Sequence, residues 1–204
     1  LASGCRRLIL IEATGLSLND VALRALAKQA SVPFSAKLQH LDLASSCTDA
    51  TDGSMMSVLT GLGGCRHVSI AFAPLVTDVS LAPLSNQKFK TLRALDVTNA
   101  NVGDAGVAWI AAGCRGGLRE LNLRGCSAVT DVAIVALSES CTNLTCLSIS
   151  GCGYITDESI QRLASVLGPV GVLNPYRKYT ADTKKIVNEK RKKSSRRGGL
   201  RNIH

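Results

Sequence analysis

The string LRELNLRGCSAVTD at 118–131 returns as LTCLSISGCGYITD at 144–157, 26 residues on, with Leu, Leu, Leu/Ile, Gly-Cys and Thr-Asp in step. Self-similarity at a fixed period decides an architecture before any local propensity matters. The pattern Leu118, Leu121, Leu123, Cys126, Thr130-Asp131, Ile134, Leu137 recurs at Leu144, Leu147, Ile149, Cys152, Thr156-Asp157, Ile160, Leu163. Upstream copies run Leu92, Leu95, Val97, Ala100, Asp104, Val107, Ile110 and Cys65, Val68, Ile70, Ala73, Thr77-Asp78, Leu81, Leu84. Looser copies start at Leu38 (Leu41, Leu43, Ser46, Asp52) and near the beginning (Ile9, Ile11, Thr14, Asp20, Leu23, Leu26). Read this way, the last strand position falls at 11, 43, 70, 97, 123 and 149, giving six copies.

Each copy changes period internally. L-x-L alternates at period two, which predicts a short strand with one face buried, and the apolar residues after Thr-Asp fall at helical spacing. Thr or Asp at that junction can accept hydrogen bonds from the free N–H groups of the first helical turn, a cap worth about 1 kcal/mol. Strand, turn, capped helix and return make a right-handed parallel coil. One such unit cannot bury its own apolar face, so neighbours must stack. Composition agrees: apolar residues make up 46% of the 204 but aromatics only 3%, which suits thin layers better than a compact globule. Phe72 and Trp109 are expected to fill layers, and Phe89 to fill a helix-to-strand return. No run approaches the roughly 20 apolar residues of a membrane span. The opening LASGCRRL parallels IAAGCRGGL at 110–118, the end of a helix leading into a strand, so the chain is expected to be part of a longer one.

Gly125-Cys126 and Gly151-Cys152 with Thr-Asp following, and Cys114 and Cys141 closing the preceding helices, resemble the leucine-rich repeats of the cysteine-containing subtype found in F-box/leucine-rich-repeat proteins. The resemblance covers roughly residues 1–170. It implies an α/β leucine-rich-repeat solenoid of about six repeats, with a parallel sheet on the concave face and helices on the convex face. In the first two copies Thr14 and Ser46 stand where the turn Cys is expected, and residues 30–37 add length. The family's F-box, which docks the adaptor of a cullin ubiquitin ligase, has no counterpart in the string read here.

All eight cysteines lie in the repeats, at 5, 47, 65, 114, 126, 141, 146 and 152. None forms the paired C-x₂-C of a zinc site, so neither metal nor cofactor is expected. Equivalent residues on adjacent rungs stand close enough for a disulfide, but parallel side chains point the same way. Small buried thiols filling a tight turn are the preferred reading, and they imply a reducing intracellular compartment, cytoplasmic or nuclear.

The residues flanking the inward strand positions should form columns on the concave sheet. One reads Leu10, Asp42, Ser69, Asp96, Asn122, Ser148; the one before it Leu8, His40, His67, Ala94, Glu120, Cys146; the one after it Glu12, Ala44, Ala71, Thr98, Arg124, Ser150. We take His40, Asp42, His67, Ser69, Asp96, Thr98, Glu120, Asn122 and Arg124 as candidate contacts for a protein partner. His40 and His67 should stand on adjacent rungs, and with Asp42 and Asp96 they evoke a catalytic His–Asp pair. No nucleophile and no phosphate-cradling glycine loop accompanies them, and a shallow curve is not a pocket.

Gly168, Pro169, Gly171 and Pro175 end the repeat series. The solenoid is therefore expected over 1–175 with a terminal cap around 168–175, where 170–173 can add a last strand. Residues 1–175 hold 13 Lys/Arg and 13 Asp/Glu, whereas 176–204 hold 11 and 2, so the whole net charge of +9 lies in the tail. A helix is expected over 180–193 and disorder beyond Ser194. The run Lys190, Arg191, Lys192, Lys193, Arg196, Arg197 reads as a nuclear-import signal for an import receptor, as a contact for RNA, a ribonucleoprotein or another anionic surface, or as a solvated terminus. Two functions compete. One is a non-catalytic interaction module, acting in substrate recognition in an F-box-type ubiquitin ligase. The alternative is a structural subunit of a large assembly, axonemal or ribonucleoprotein, anchored by the basic tail.

Overall fold

The computed structural model describes residues 9–30, 38–86, 89–168 and 171–173. Strands and helices alternate: β1 (Leu10–Glu12), α1 (Asp20–Ala30), β2 (His40–Asp42), α2 (Asp52–Thr60), β3 (His67–Ser69), α3 (Asp78–Leu81), β4 (Ala94–Asp96), α4 (Asp104–Cys114), β5 (Glu120–Asn122), α5 (Asp131–Ser140), β6 (Cys146–Ser148), α6 (Asp157–Leu167) and β7 (Gly171–Leu173). The strands form one parallel sheet in sequence order. Its register is strict, with Leu41, Val68, Leu95, Leu121, Leu147 and Val172 in successive pairings. This is the α/β leucine-rich-repeat solenoid, with the sheet on the concave face and the helices on the convex face. No helix among the described residues is long and apolar enough to cross a membrane.

The core lies between sheet and helices. Leu41, Leu43, Val68, Ile70, Leu95, Val97, Leu121, Leu123, Leu147 and Ile149 enter it from the strands, and Met55, Val58, Val107, Ile110, Ile134, Leu137, Ile160 and Leu163 from the helices. Each buried side chain of this size is worth about 1.5–3 kcal/mol over an exposed one. Phe89 is buried at its return turn, and Trp109 packs against the core. Phe72 does not fill a layer as expected. It is 46% exposed, because its backbone takes a left-handed turn at φ 62° that carries the side chain outward. The short α3 passes into a 3₁₀ turn at Ala82–Ser85.

The first repeat sits two residues away from its expected register. Leu10 pairs with His40, Ile11 with Leu41 and Glu12 with Asp42. The last strand position of that rung is therefore Ala13, whose N–H donates to the Asp42 carbonyl as Leu43 donates to Ser69. A column of left-handed turn residues shows the same alignment: Gly15, Ser45, Phe72, Asn99, Gly125 and Gly151 all have φ between 54° and 85°. Leu16, not Thr14, consequently stands where Cys126 stands. A shift of two leaves every side chain on its original face of a strand, so alternation alone could not choose between Ile11 and Ala13.

The next column explains the turn cysteines. The Cys126 thiol donates to the Val97 carbonyl (3.3 Å) and Cys152 to the Leu123 carbonyl (3.1 Å), each reaching back one rung. Ser46 makes the same bond to the Ala13 carbonyl. The described cysteines are all free thiols. Burial pushes Cys47, Cys65 and Cys152 up to about 11, and Cys114, Cys126 and Cys141 up to about 12.

The Thr-Asp pair divides its work between two rungs. Thr77, Thr130 and Thr156 cap their own helices, accepting from Val79, Val132 and Ser159. The aspartates instead reach the next rung. Asp20, Asp52, Asp104 and Asp131 accept from both the N–H and the hydroxyl of Thr51, Thr77, Thr130 and Thr156, at 2.6–2.9 Å. Where glycine replaces threonine, Asp78 accepts from the N–H groups of Gly103 (2.7 Å) and Gly106 (2.9 Å). Hydrogen bonds from Ser54 first, then from Thr51, hold the Asp20 carboxyl down to about 2. A ladder of carboxylate clasps thus runs along the helix N-termini, joining rung to rung.

Candidate functional site

Two outward positions of each strand build the concave face. The first column runs Leu10, His40, His67, Ala94, Glu120, Cys146 and the second Glu12, Asp42, Ser69, Asp96, Asn122, Ser148. Leu10 thus takes the place expected for Leu8, which lies outside the described residues, and Glu12 sits beside Asp42 instead of Ala44.

Five strands, β2 to β6, line an open hollow of about 310 Å³. Seven of the nine candidate residues line it: His40, Asp42, His67, Ser69, Asp96, Glu120 and Asn122. Cys146 and Ser148, which the sequence columns contained but the candidate set left out, complete its far wall. The His40 and His67 rings stand 5.5 Å apart between centroids and are tilted by 38°.

The other two candidates fall elsewhere. Thr98 is only 6% exposed and its hydroxyl has no hydrogen-bond partner, so it offers no surface to a partner. Its neighbours in that third column, Ala71 and Ser150, are also buried, because the chain is already bending into the turn there. Arg124 is exposed on the turn but does not line the hollow.

The acidic column has a local task as well as a surface. Asp42 Oδ1 accepts from the Ala44 N–H (2.9 Å), Asp96 Oδ1 from the Thr98 N–H (2.8 Å) and Asn122 Oδ1 from the Arg124 N–H (3.2 Å). These Asx turns close the strand ends, where the next N–H has lost its ladder partner. Asp96 Oδ2 also accepts from Asn122 Nδ2 (3.0 Å), tying two rungs together on the concave surface. Glu120 is exposed and Asp42 keeps Oδ2 open, so the hollow presents carboxylates beside two imidazoles. Among the described residues no group of three or more His, Cys, Asp or Glu is arranged to hold a metal ion.

One charged column went unread in the sequence. Arg66, Arg93 and Arg119 precede β3, β4 and β5 and lie side by side, since their successors His67, Ala94 and Glu120 pair. Their 27- and 26-residue spacing was visible, but it falls one place before the outward strand positions on which the columns were counted. The basic run 190–197 and the helix expected over 180–193 lie outside the described residues.

Comparison with known proteins agrees with this architecture. Residues 90–111 and 140–164 match the family model described as a leucine rich repeat. The chain is 29% identical over 126 residues to the Antagonist of mitotic exit network protein 1 of Eremothecium gossypii, covering 59% of this chain and 31% of that protein. It is 28% identical over 122 residues to the F-box protein MAX2 of Arabidopsis thaliana, covering 57% and 17% respectively. A 54-residue stretch is 37% identical to the F-box/LRR-repeat MAX2 homolog of Oryza sativa, covering 26% of this chain and 8% of that protein. The chain therefore spans less than a third of each of these relatives. Among solved structures, the tropomodulin C-terminal domain of Caenorhabditis elegans superposes with a TM-score of 0.54 at 14% identity, covering 86% of this chain and 98% of that one. That likeness is one of fold.

Proposed function

Starting from a leucine-rich-repeat protein whose repeats resemble those of F-box/leucine-rich-repeat proteins, we propose that this chain is a non-catalytic protein-interaction module that seats a protein partner on its concave sheet. The carrying observation is the hollow over β2 to β6, in which His40, Asp42, His67, Asp96, Glu120 and Asn122 converge from four separate rungs. A surface assembled from so many rungs is rigid and keeps its side chains at fixed spacing, which lowers the ordering cost of binding. Among the described residues its lining includes no Trp, Tyr, Phe or Arg, which suits a partner that brings its own large anchoring side chains. The finer reading is substrate recognition within an F-box-type ubiquitin ligase. It is supported by the names of two relatives, both F-box proteins.

The test is affinity capture with the intact chain against a Glu120→Arg/Ser148→Trp variant. Both side chains line the hollow and neither takes part in the hydrogen bonds that build the turns. Partners retained by the intact chain and lost by the variant, at unchanged thermal stability, support the concave site. Equal retention overturns it. Absence of a cullin-ligase adaptor from the captured assembly of the full-length protein removes the ligase reading and leaves the interaction module standing.

A further inference from the structure

Arg66, Arg93 and Arg119 occupy the same position on three adjacent rungs, at the edge where the strands begin. Parallel neighbours stand about 4.8 Å apart, so three guanidinium-bearing residues are stacked within about 10 Å. Lys90 and Arg115 lie in the turns leading to the same edge. Arg93 is held in place by the fold: its Nη1 donates to the Gly117 carbonyl (2.7 Å) and the Lys90 carbonyl (3.1 Å). Arg66 and Arg119 are exposed. None of the five cations makes an ion pair among the described residues, where Arg24 pairs with Asp20.

Like charges directly opposite one another on paired strands destabilise a sheet. Three in a row with no internal counterion form a surface that gains on meeting an anion. The edge is also separate from the hollow, since none of these five residues lines it.

We propose that this arginine rim is a docking site for an acidic peptide segment of a protein partner, whether or not the concave hollow is occupied. The dimensions favour a short acidic segment over a nucleic acid. Duplex DNA carries a charge about every 1.7 Å and rewards a long basic track, whereas this one covers three rungs. Asp96 and Glu120 stand on the adjoining floor of the hollow and would repel a phosphate backbone continuing across the sheet. Two or three carboxylates, each able to take a forked pair of hydrogen bonds from arginine, match the rim's length.

The probe is a fluorescein-labelled hexaglutamate peptide, followed by anisotropy with the full chain at about 50 mM salt, where screening is weak. Arg66→Glu/Arg119→Glu is compared with Arg124→Glu/Arg162→Glu, which changes net charge equally at exposed positions away from the rim. The rim variant is expected to bind about tenfold more weakly and the control within about twofold. A benzophenone-bearing hexaglutamate is expected to cross-link within 63–66, 90–93 or 115–119. Equal weakening by both variants, or cross-links confined to 176–204, overturns the proposal. So does a loss confined to a decathymidylate probe with hexaglutamate binding unchanged. If the reversal variant fails to fold, Arg66→Gln/Arg119→Gln must show the same ordering of affinities or the proposal falls.

Discussion

Asp104 holds Thr130 of the following rung by two bonds at once, taking the backbone N–H on Oδ1 at 2.8 Å and the hydroxyl on Oδ2 at 2.7 Å. Both bonds involve an ionised acceptor and are partly screened from water, so each is worth more than a neutral pair. Asp104→Ala is expected to lower stability by about 3 kcal/mol, and Thr130→Val, which removes the hydroxyl together with its cap on α5 and keeps the N–H, by about 2 kcal/mol. Urea denaturation followed by circular dichroism reads the two costs. A Thr130→Val loss as large as that of Asp104→Ala would contradict this division.

Gly113 and Phe72 should respond to substitution very unequally. A Cβ added at Gly113 would land on the Leu84 carbonyl oxygen, where α4 runs against the 3₁₀ turn. Gly113→Ala is expected to cost more than about 2 kcal/mol, because backbone has to move to admit it. Phe72 is 46% exposed and in a left-handed conformation, so Phe72→Gly relieves backbone strain while giving up about half of a phenylalanine's burial. With the entropy that glycine adds to the unfolded chain, it is expected to cost no more than about 1 kcal/mol. Thermal melts of the two variants decide it.

Alkali should unfold the solenoid abruptly. Six buried thiols titrate at about 11–12 in the folded chain against 9.0 for the unperturbed group. Below pH 9 both states keep these protons and the contribution to stability is complete. Above it the unfolded state releases protons that the folded state retains, so stability falls by about 1.4 kcal/mol per pH unit per thiol until the folded values are reached. For six thiols the loss approaches about 8 kcal/mol near pH 10, comparable with the whole stability of an ordinary domain. A pH titration by circular dichroism should show a cooperative transition in that region, shifted upward when Cys126 and Cys152 are replaced by Ala.

Thiol reactivity should separate the cysteines by place. Cys146 is half-buried on the wall of the hollow, while Cys47, Cys65, Cys114, Cys126, Cys141 and Cys152 are buried. With iodoacetamide at about pH 8, Cys146 is expected to react at least about 100-fold faster than those six, which must await local unfolding. Peptide mapping by mass spectrometry gives the order, and a partner seated in the hollow should slow Cys146 alone among these seven.

Much of the fold was legible because burial imposes its period on the sequence. Val68, Leu95, Leu121 and Leu147 could be aligned from spacing alone, and the structure pairs them in that order. The first repeat failed where the rule is degenerate, since Ile11 and Ala13 share a face. Gly15 held the missing information: its left-handed backbone matches Gly125 and Gly151, a constraint that hydrophobicity does not record. Most of the hollow was legible because outward positions follow from inward ones. Thr98 was misplaced because alternation is lost once the strand bends into its turn. The reach of Asp104 to Thr130 stayed hidden because a cap is ordinarily sought within its own helix, and the partner lies 26 residues away.

The carboxylate clasps have a consequence for how such a chain can change length. Every period contributes the acceptor of one joint and the donor of the joint before it, so excising or duplicating one whole period leaves each aspartate facing a mate. Cutting 105–131, for instance, would put Asp104 in the place of Asp131 and present it with Thr156, the residue Asp131 now holds, across the same gap. Insertions of a few residues enjoy no such protection, because they move the donor off its acceptor. Growth and shrinkage are therefore quantised in this molecule, and the unit of exchange is the turn of the coil.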